Sequence, residues 1–230
     1  MKSILLSVIS FLLVMNVCGK NDVDMRTYLK KVLSNLDKVE SASYHEQSQS
    51  WQPGDTTAIT NSFRFIKEYT NPSDSTIGAS YVALNAKDTT RFEFGYDGKV
   101  KMISFHEHKG IMIDDFTTRK LPFRLVGPPF FCYSRNIIGY ALSTGDSITT
   151  EWKDLGEAYY FKLVIHEDRQ VEFFGKAYYI PKPPFDLGDP TSIYELWINK
   201  SDDLPYKVRR EMSHQISANI CSDVVLNQLS

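Results

Sequence analysis

From Asp22 to Val39 apolar residues return every three or four positions (Met25, Tyr28, Leu29, Val32, Leu36, Val39), while Arg26, Lys30, Lys31, Asp37 and Lys38 take the other face. That spacing predicts an amphipathic helix with one buried stripe. Asp22 or Asp24 can cap it, because a carboxylate oxygen accepts from the free amides of a first turn. Beyond Ser41 the period falls to two: Phe63 and Phe65 flank Arg64, Tyr81 and Ala83 flank Val82, and Phe92, Phe94 and Tyr96 alternate with Glu93 and Gly95. Alternation of this kind predicts β-strands. Asp97-Gly98 takes up positive φ cheaply and predicts a hairpin between Arg91–Tyr96 and Lys99–Phe105. A second hairpin is expected from Tyr159–His166 through Glu167-Asp168 into Gln170–Tyr178. Further strands are expected at Ser192–Asn199 and at Pro205–His214, the latter as the last of the chain.

Two proline-rich stretches interrupt this pattern. Leu121–Cys132, with three prolines and a glycine, cannot continue a ladder and reads as a connection. It leads into a short helical pattern at Ser134–Leu142. Pro181–Pro190 is the second break. No internal repeat is present. The sum is an α+β fold: a strongly curved antiparallel sheet of roughly nine to eleven strands, an incomplete, unclosed β-barrel, with the N-terminal helix and the inserted helix packed on its concave face.

The first residues have a different character. Lys2 precedes the apolar run Ile4–Met15, which is about the length of a signal-peptide core and too short to span a bilayer. Residues 1–19 are therefore expected to be a signal peptide and 20–230 a single domain. Cys18 sits where a lipoprotein signal places its lipidated cysteine; cleavage after Gly19 is the other option. Either one exports the chain to the periplasm or the periplasmic face of an outer membrane.

Composition narrows the function classes. The 26 basic and 28 acidic residues leave a net charge of −2, which gives no electrostatic footprint for nucleic acid. The 14 Phe and 13 Tyr fit half-buried pleated surfaces. No catalytic motif stands out: Ser134 and Ser201 lack a nucleophile-elbow context, and Cys132 and Cys221 lack the Cys-x-x-Cys spacing of redox enzymes. Those two thiols are expected either as one disulfide of an exported chain or as small buried hydrophobes. His106 and His108 share one face if the segment is a strand, a weak candidate for zinc or copper, with exposed histidines as the plain alternative. The pairs Asp114-Asp115 and Asp202-Asp203 read as turn formers. No cofactor is implied. Phe63, Phe65, Phe92, Phe94, Tyr159, Phe161 and Leu196 could line a cavity for an acyl chain in the concavity. If the helices plug it, the same residues are core.

Several local patterns carry a resemblance. Phe94-Gly-Tyr-Asp-Gly-Lys-Val100 and Tyr194-Glu-Leu-Trp-Ile-Asn-Lys-Ser-Asp-Asp-Leu-Pro-Tyr-Lys-Val208, after one N-terminal amphipathic helix, resemble the outer-membrane lipoprotein carrier superfamily (LolA, LolB and related lipoproteins). More narrowly, Arg124-x-x-x-Pro-Pro-Phe-Phe131, Val171-Glu-Phe-Phe-Gly-Lys176 and Leu204-Pro-Tyr-Lys-Val-Arg-Arg-Glu-Met212 resemble an exported module that often precedes a TlpA/ResA-type thioredoxin-like domain in Gram-negative bacteria. The first resemblance implies a non-enzymatic, monomeric binder of a lipid or lipoprotein acyl chain. The second implies an accessory domain whose partner is a thioredoxin-like envelope protein, itself without catalytic cysteines. It also implies O-glycosylation at Asp-Ser/Thr-x triplets such as those at Asp55, Asp74, Asp88 and Asp146.

Overall fold

The structure, a computed structural model, describes residues 24–118, 126–167, 170–174, 176–180, 191–213 and 215–228. The expected signal segment with Cys18 and the proline-rich stretch 181–190 lie outside them.

Helix α1 spans Met25–Asp37. Asp24 caps it: its carboxylate accepts from the backbone N–H of Thr27 at 3.0 Å and from the Thr27 hydroxyl. The predicted stripe is the buried one, with Tyr28, Leu29, Val32 and Leu36 facing the protein. Among the described residues thirteen strands follow: β1 Val39–Trp51, β2 Thr60–Thr70, β3 Ala79–Asn85, β4 Phe92–Tyr96, β5 Val100–Phe105, β6 Gly110–Asp115, β7 Ile148–Asp154, β8 Ala158–Ile165, β9 Gln170–Phe174, β10 Lys176–Ile180, β11 Ser192–Asn199, β12 Pro205–Met212 and β13 Gln215–Gln228. Helix α2, Phe130–Ser143, falls between β6 and β7.

Eleven strands make one antiparallel, unclosed sheet in the order β6-β5-β4-β3-β2-β1-β13-β12-β11-β8-β7. This is the expected α+β incomplete barrel, with both helices on its concave face. The Asp97-Gly98 turn joins β4 to β5 as predicted: Gly98 has φ +101°, and the Asp97 carboxylate accepts from the N–H groups of Lys99 and Val100.

Three expectations about strands are corrected. β8 does not pair with the strand that follows it; it lies between β7 and β11, and the Gln170–Tyr178 segment divides into β9 and β10, which pair with each other. The Pro205 strand is not the last, because β13 follows and joins β12 to β1. Residues 106–108 form a 3-10 turn rather than strand, so the two histidines do not share a pleated face.

The main core lies under the helices and reaches from β8, β11 and β12 to Ala42, Tyr44, Ile66 and Ala83 of β1 to β3, and a smaller cluster joins Tyr81 and Tyr96 to Ile77, Val126 and Cys132. Under α1, Tyr28 packs edge-on against Tyr159 at 4.6 Å and donates its hydroxyl to Asp203 at 2.6 Å, while Trp152 stacks on Tyr159 at 4.7 Å. Phe161, Leu163, Leu196, Ile198 and Val208 complete this core with Ile137 and Ile138 of α2. The β9–β10 hairpin closes over it: Phe173 meets Tyr194 at 4.8 Å and Tyr140 at 5.1 Å, and the Tyr194 hydroxyl donates to the carbonyl of Val171.

Facing can be tested by stability. Leu196→Ala, on the filled concave face, should cost about 2–5 kcal/mol in urea unfolding. Phe63→Ala, 56% exposed on the other face, should stay within about 0.5 kcal/mol.

Candidate functional site

The site begins with the start of α2. Its capping residue is Pro129, which supplies no side-chain bond, so the first amides of a buried helix need partners from elsewhere. The sheet provides them. The Tyr44 hydroxyl of β1 accepts from the N–H of Phe130 at 3.0 Å and donates to Glu68 of β2 at 2.9 Å. The Glu68 carboxylate then accepts from the N–H of Phe131 at 3.1 Å and of Cys132 at 2.7 Å. Burial lifts the Glu68 carboxyl from the ordinary 4.5 to about 7, against the lowering effect of these hydrogen bonds.

With α2 held there, the segment Gly127-Pro128-Pro129 stands as a roof over a cavity walled by buried Tyr44, Ile66 and Tyr81. The cavity, of about 380 Å³, lies between this roof and strands β1 to β5. Ile66, Tyr81, Phe94 and Ile103 form an apolar wall. Glu46, Ser48, Arg64, Lys101 and Asn219 supply polar groups. A second space of about 250 Å³ adjoins it through Glu46, Ser48, Gly127, Pro128 and Asn219, and is bounded by Tyr133, Glu172, Arg210 and Ser217. Together they make an amphipathic trough beside the filled core.

The charged groups of the trough are held in place. Arg64 bonds Glu93 at 3.0 Å, and its guanidinium lies 5.0 Å from the Phe94 ring centre. Arg210 pairs with Glu172, whose second oxygen is 3.4 Å from the Tyr194 hydroxyl. Burial raises the carboxyls of Glu46 and Glu172; Asn219 and Arg64 oppose it at Glu46, as Arg210 and Tyr194 do at Glu172. Burial also lowers the Lys101 ammonium, which stands opposite Asp114 in the β5–β6 register. Each of these sites resists carrying a charge more than it would in water.

The expected cavity residues divide into three groups. Phe94 lines the trough. Tyr159, Phe161 and Leu196 are core under the helices, at 9%, 0% and 0% exposure. Phe63, Phe65 and Phe92 are on the opposite face: the buried residues of β2 are Ile66 and Glu68, so the odd positions turn outward, and Phe92 pairs with Leu84 on that side. Phe65 packs there against His45 at 5.3 Å. Sequence reasoning missed Tyr44, Glu46, Glu68 and Asn219, because a polar residue in a polar strand carries no periodic signal for the inside of a sheet.

The remaining candidates have structural roles. Cys132 and Cys221 are both buried and free, so they are not joined in a disulfide. The Cys132 thiol donates to the carbonyl of Ile77 at 3.1 Å and is pushed up to about 12 by burial and by Glu68; Cys221 is raised for the same reasons, with Glu46 the nearer charge. Neither is an activated thiol. The His106 ring bonds the carbonyl of Phe92 at 2.8 Å, His108 is exposed, and among the described residues no three His, Cys, Asp or Glu groups gather as a metal site. Asp74 and Asp88 cap turns, Asp74 accepting from the N–H groups of Thr76, Ile77 and Gly78. Among the described residues no helix is long and apolar enough to cross a membrane.

No protein-family model matches the chain, and no curated protein matches it. Among solved structures it is similar to the lipoprotein LppX of Mycobacterium tuberculosis, at 9% identity and TM-score 0.41 over 91% of this chain and 98% of that one. It is similar also to LprF from Mycobacterium bovis, at 8% and 0.45 over 92% and 99%, and to a LolA superfamily protein from Nitrosomonas europaea, at 12% and 0.31 over 88% and 94%. At such identities none of them carries a ligand or an activity over to this chain.

Titration of the Glu68 cap is measurable. A carboxyl that holds its proton more tightly folded than unfolded binds more protons in the folded state between about pH 4.5 and 7. Its contribution therefore lowers stability as pH rises through that window, and the whole cost is present above it. Glu68→Gln should remove this downward slope from the stability–pH profile while lowering stability overall, since an amide nitrogen would face a backbone N–H. Urea midpoints at half-unit pH steps read both effects.

Proposed function

We propose that the protein is a non-enzymatic binder of an amphiphile, taken up in the trough of the concave face. The observation that carries this reading is the amphipathic cavity at the margin of the core, where buried Tyr44, Ile66 and Tyr81 meet Phe94, Ile103 and the polar groups of β1, β2 and β5. A volume of about 380 Å³ falls within the range of about 300–1,000 Å³ typical of small-ligand sites. Tyr81, Phe94 and Ile103 suit an acyl or other apolar tail, which would gain about 0.8 kcal/mol for each methylene withdrawn from water. Glu46, Asn219 and the Arg210–Glu172 pair suit a hydrogen-bonding head group at the polar end. In this reading the chain is exported, held at a membrane through a lipid on Cys18, and presents the trough to a lipid or to the acyl chain of a lipoprotein.

Phe94→Asp tests the site. The expected result is at least about a tenfold loss of affinity for a fluorescent fatty acid, with an unchanged far-UV spectrum, since a charge in the apolar wall costs at least 1–3 kcal/mol, or roughly tenfold or more. Phe63→Asp on the outer face should bind as the parent does. Equal binding by both variants would refute the trough as the site. Intact mass of the processed chain should show a diacyl or triacyl group on Cys18.

A further inference from the structure

Pro128 and Pro129 have no N–H with which to bond the sheet, so the roof of the trough depends on the first turn of α2 for its position. That turn depends on Glu68. Phe130 and Phe131 are buried, and the amides of Phe131 and Cys132 end on a carboxylate that is itself 5% exposed. Tyr44 of β1 donates its hydroxyl to the same carboxylate, and Tyr81 of β3 stands opposite it in the β2–β3 register. From β13 the Cys221 thiol feels its charge, and α2 adds the Cys132 thiol and Arg135. Arg135 and the three hydrogen bonds favour the charged form; burial outweighs them, and the carboxyl rises from 4.5 to about 7.

The closed cap therefore holds its proton more tightly than the same carboxyl would in water. A motion that lifts the first turn of α2 and lets water reach Glu68 returns the group toward 4.5 and releases that proton. Proton linkage then sets the direction. Between about pH 4.5 and 7 the closed form binds more protons than the open one, so it is favoured in acid and loses ground as pH rises. We propose that Glu68 is a pH-released latch on the roof of the trough: its ionisation lets the first turn of α2 open, and Gly127-Pro128-Pro129 move with that turn to let a ligand pass. The latch stands on the geometry of the cap, and its effect on a ligand rests on the trough being the binding site. Glu46 and Glu172 are raised by burial as well, but they are held by Asn219 and by Arg210 with Tyr194, groups of the sheet rather than of α2.

Hydrogen exchange of the processed chain, read at the amides of Phe130, Phe131 and Cys132 from pH 5 to pH 8 and corrected for the base catalysis of exchange itself, tests the latch. Opening should become at least about tenfold more frequent between pH 5 and pH 7, because a carboxyl released from about 7 to 4.5 shifts the equilibrium by more than that. Glu68→Gln should abolish the rise. Tyr44→Phe removes a hydrogen bond that favours the charged form, so the rise should persist and move to higher pH. In the parent chain the dissociation rate of methyl parinarate, an uncharged fluorescent acyl ester, should climb over the same range, and in Glu68→Gln it should not. Corrected exchange that is flat with pH at these amides overturns the proposal. So does a rise that survives in Glu68→Gln, which would belong to another group such as Glu46 or Glu172. Exchange that rises while the bound ester leaves at a constant rate overturns the coupling to the roof. An ester that fails to bind counts against the trough as the site, and the exchange of the three amides then decides the latch alone.

Discussion

The structure turns on how the sheet caps a helix that cannot cap itself. Helix α2 starts inside the protein behind two prolines, and the free amides of a buried first turn are costly unless something accepts from them. Tyr44 and Glu68 accept from three of them in succession, and Tyr44 completes the set by donating to Glu68. The partial positive charge of the helix terminus favours the carboxylate; burial opposes it, and the raised Glu68 value shows which dominates. This fixes where α2 begins along β1 and β2. From there the helix runs over the main core, and the prolines before it line the cavity.

The halves of the molecule are also tied by exchange. α1 precedes β1 to β6 in the chain but packs beneath β7 and β8, where Tyr28 meets Trp152, Tyr159 and Asp203. Its buried stripe shares one core with β8, β11 and β12 and with Val39, Ala42 and Tyr44 of β1. Tyr44, Ile66 and Tyr81 are buried and at the same time line the cavity, so the wall of the trough is the margin of that core.

The sequence was informative where the chain's own period determines the answer. α1 with its Asp24 cap, the Asp97-Gly98 hairpin and the alternating strand Ser192–Asn199 could be read directly, since each depends on neighbouring residues. What could not be read depends on partners far along the chain. Phe63 and Phe65 do share a face, as their spacing requires, but a period of two does not say which face is inside; the pairing of β2 with β1 decides that, and it turns Ile66 and Glu68 inward. β1 beyond Tyr44 is a run of Ser, Gln and Glu with little apolar alternation, and β13 alternates only over Ile216, Ala218 and Ile220, so neither announces itself. They are nonetheless the centre of the sheet, and the trough's polar end is built from them. The Tyr159 hairpin failed for a related reason: β8 finds its second partner in β11, across the β9–β10 insertion.

The seam between β1 and β13 has a consequence for assembly of the protein as it is made. Val39 pairs with Gln228 and Trp51 with Ile216, so the first strand finds its second neighbour more than 160 residues further along the chain. A polypeptide released N-terminus first can complete β1 through β6 as a run of adjacent hairpins, but β1 keeps one open side until β13, Gln215–Gln228, has emerged. Loop closure over such a span is slow compared with hairpin formation. The polar make-up of β1, with Ser, Gln and Glu along the waiting stretch, gives that unpaired side little to offer a wrong partner in the interval.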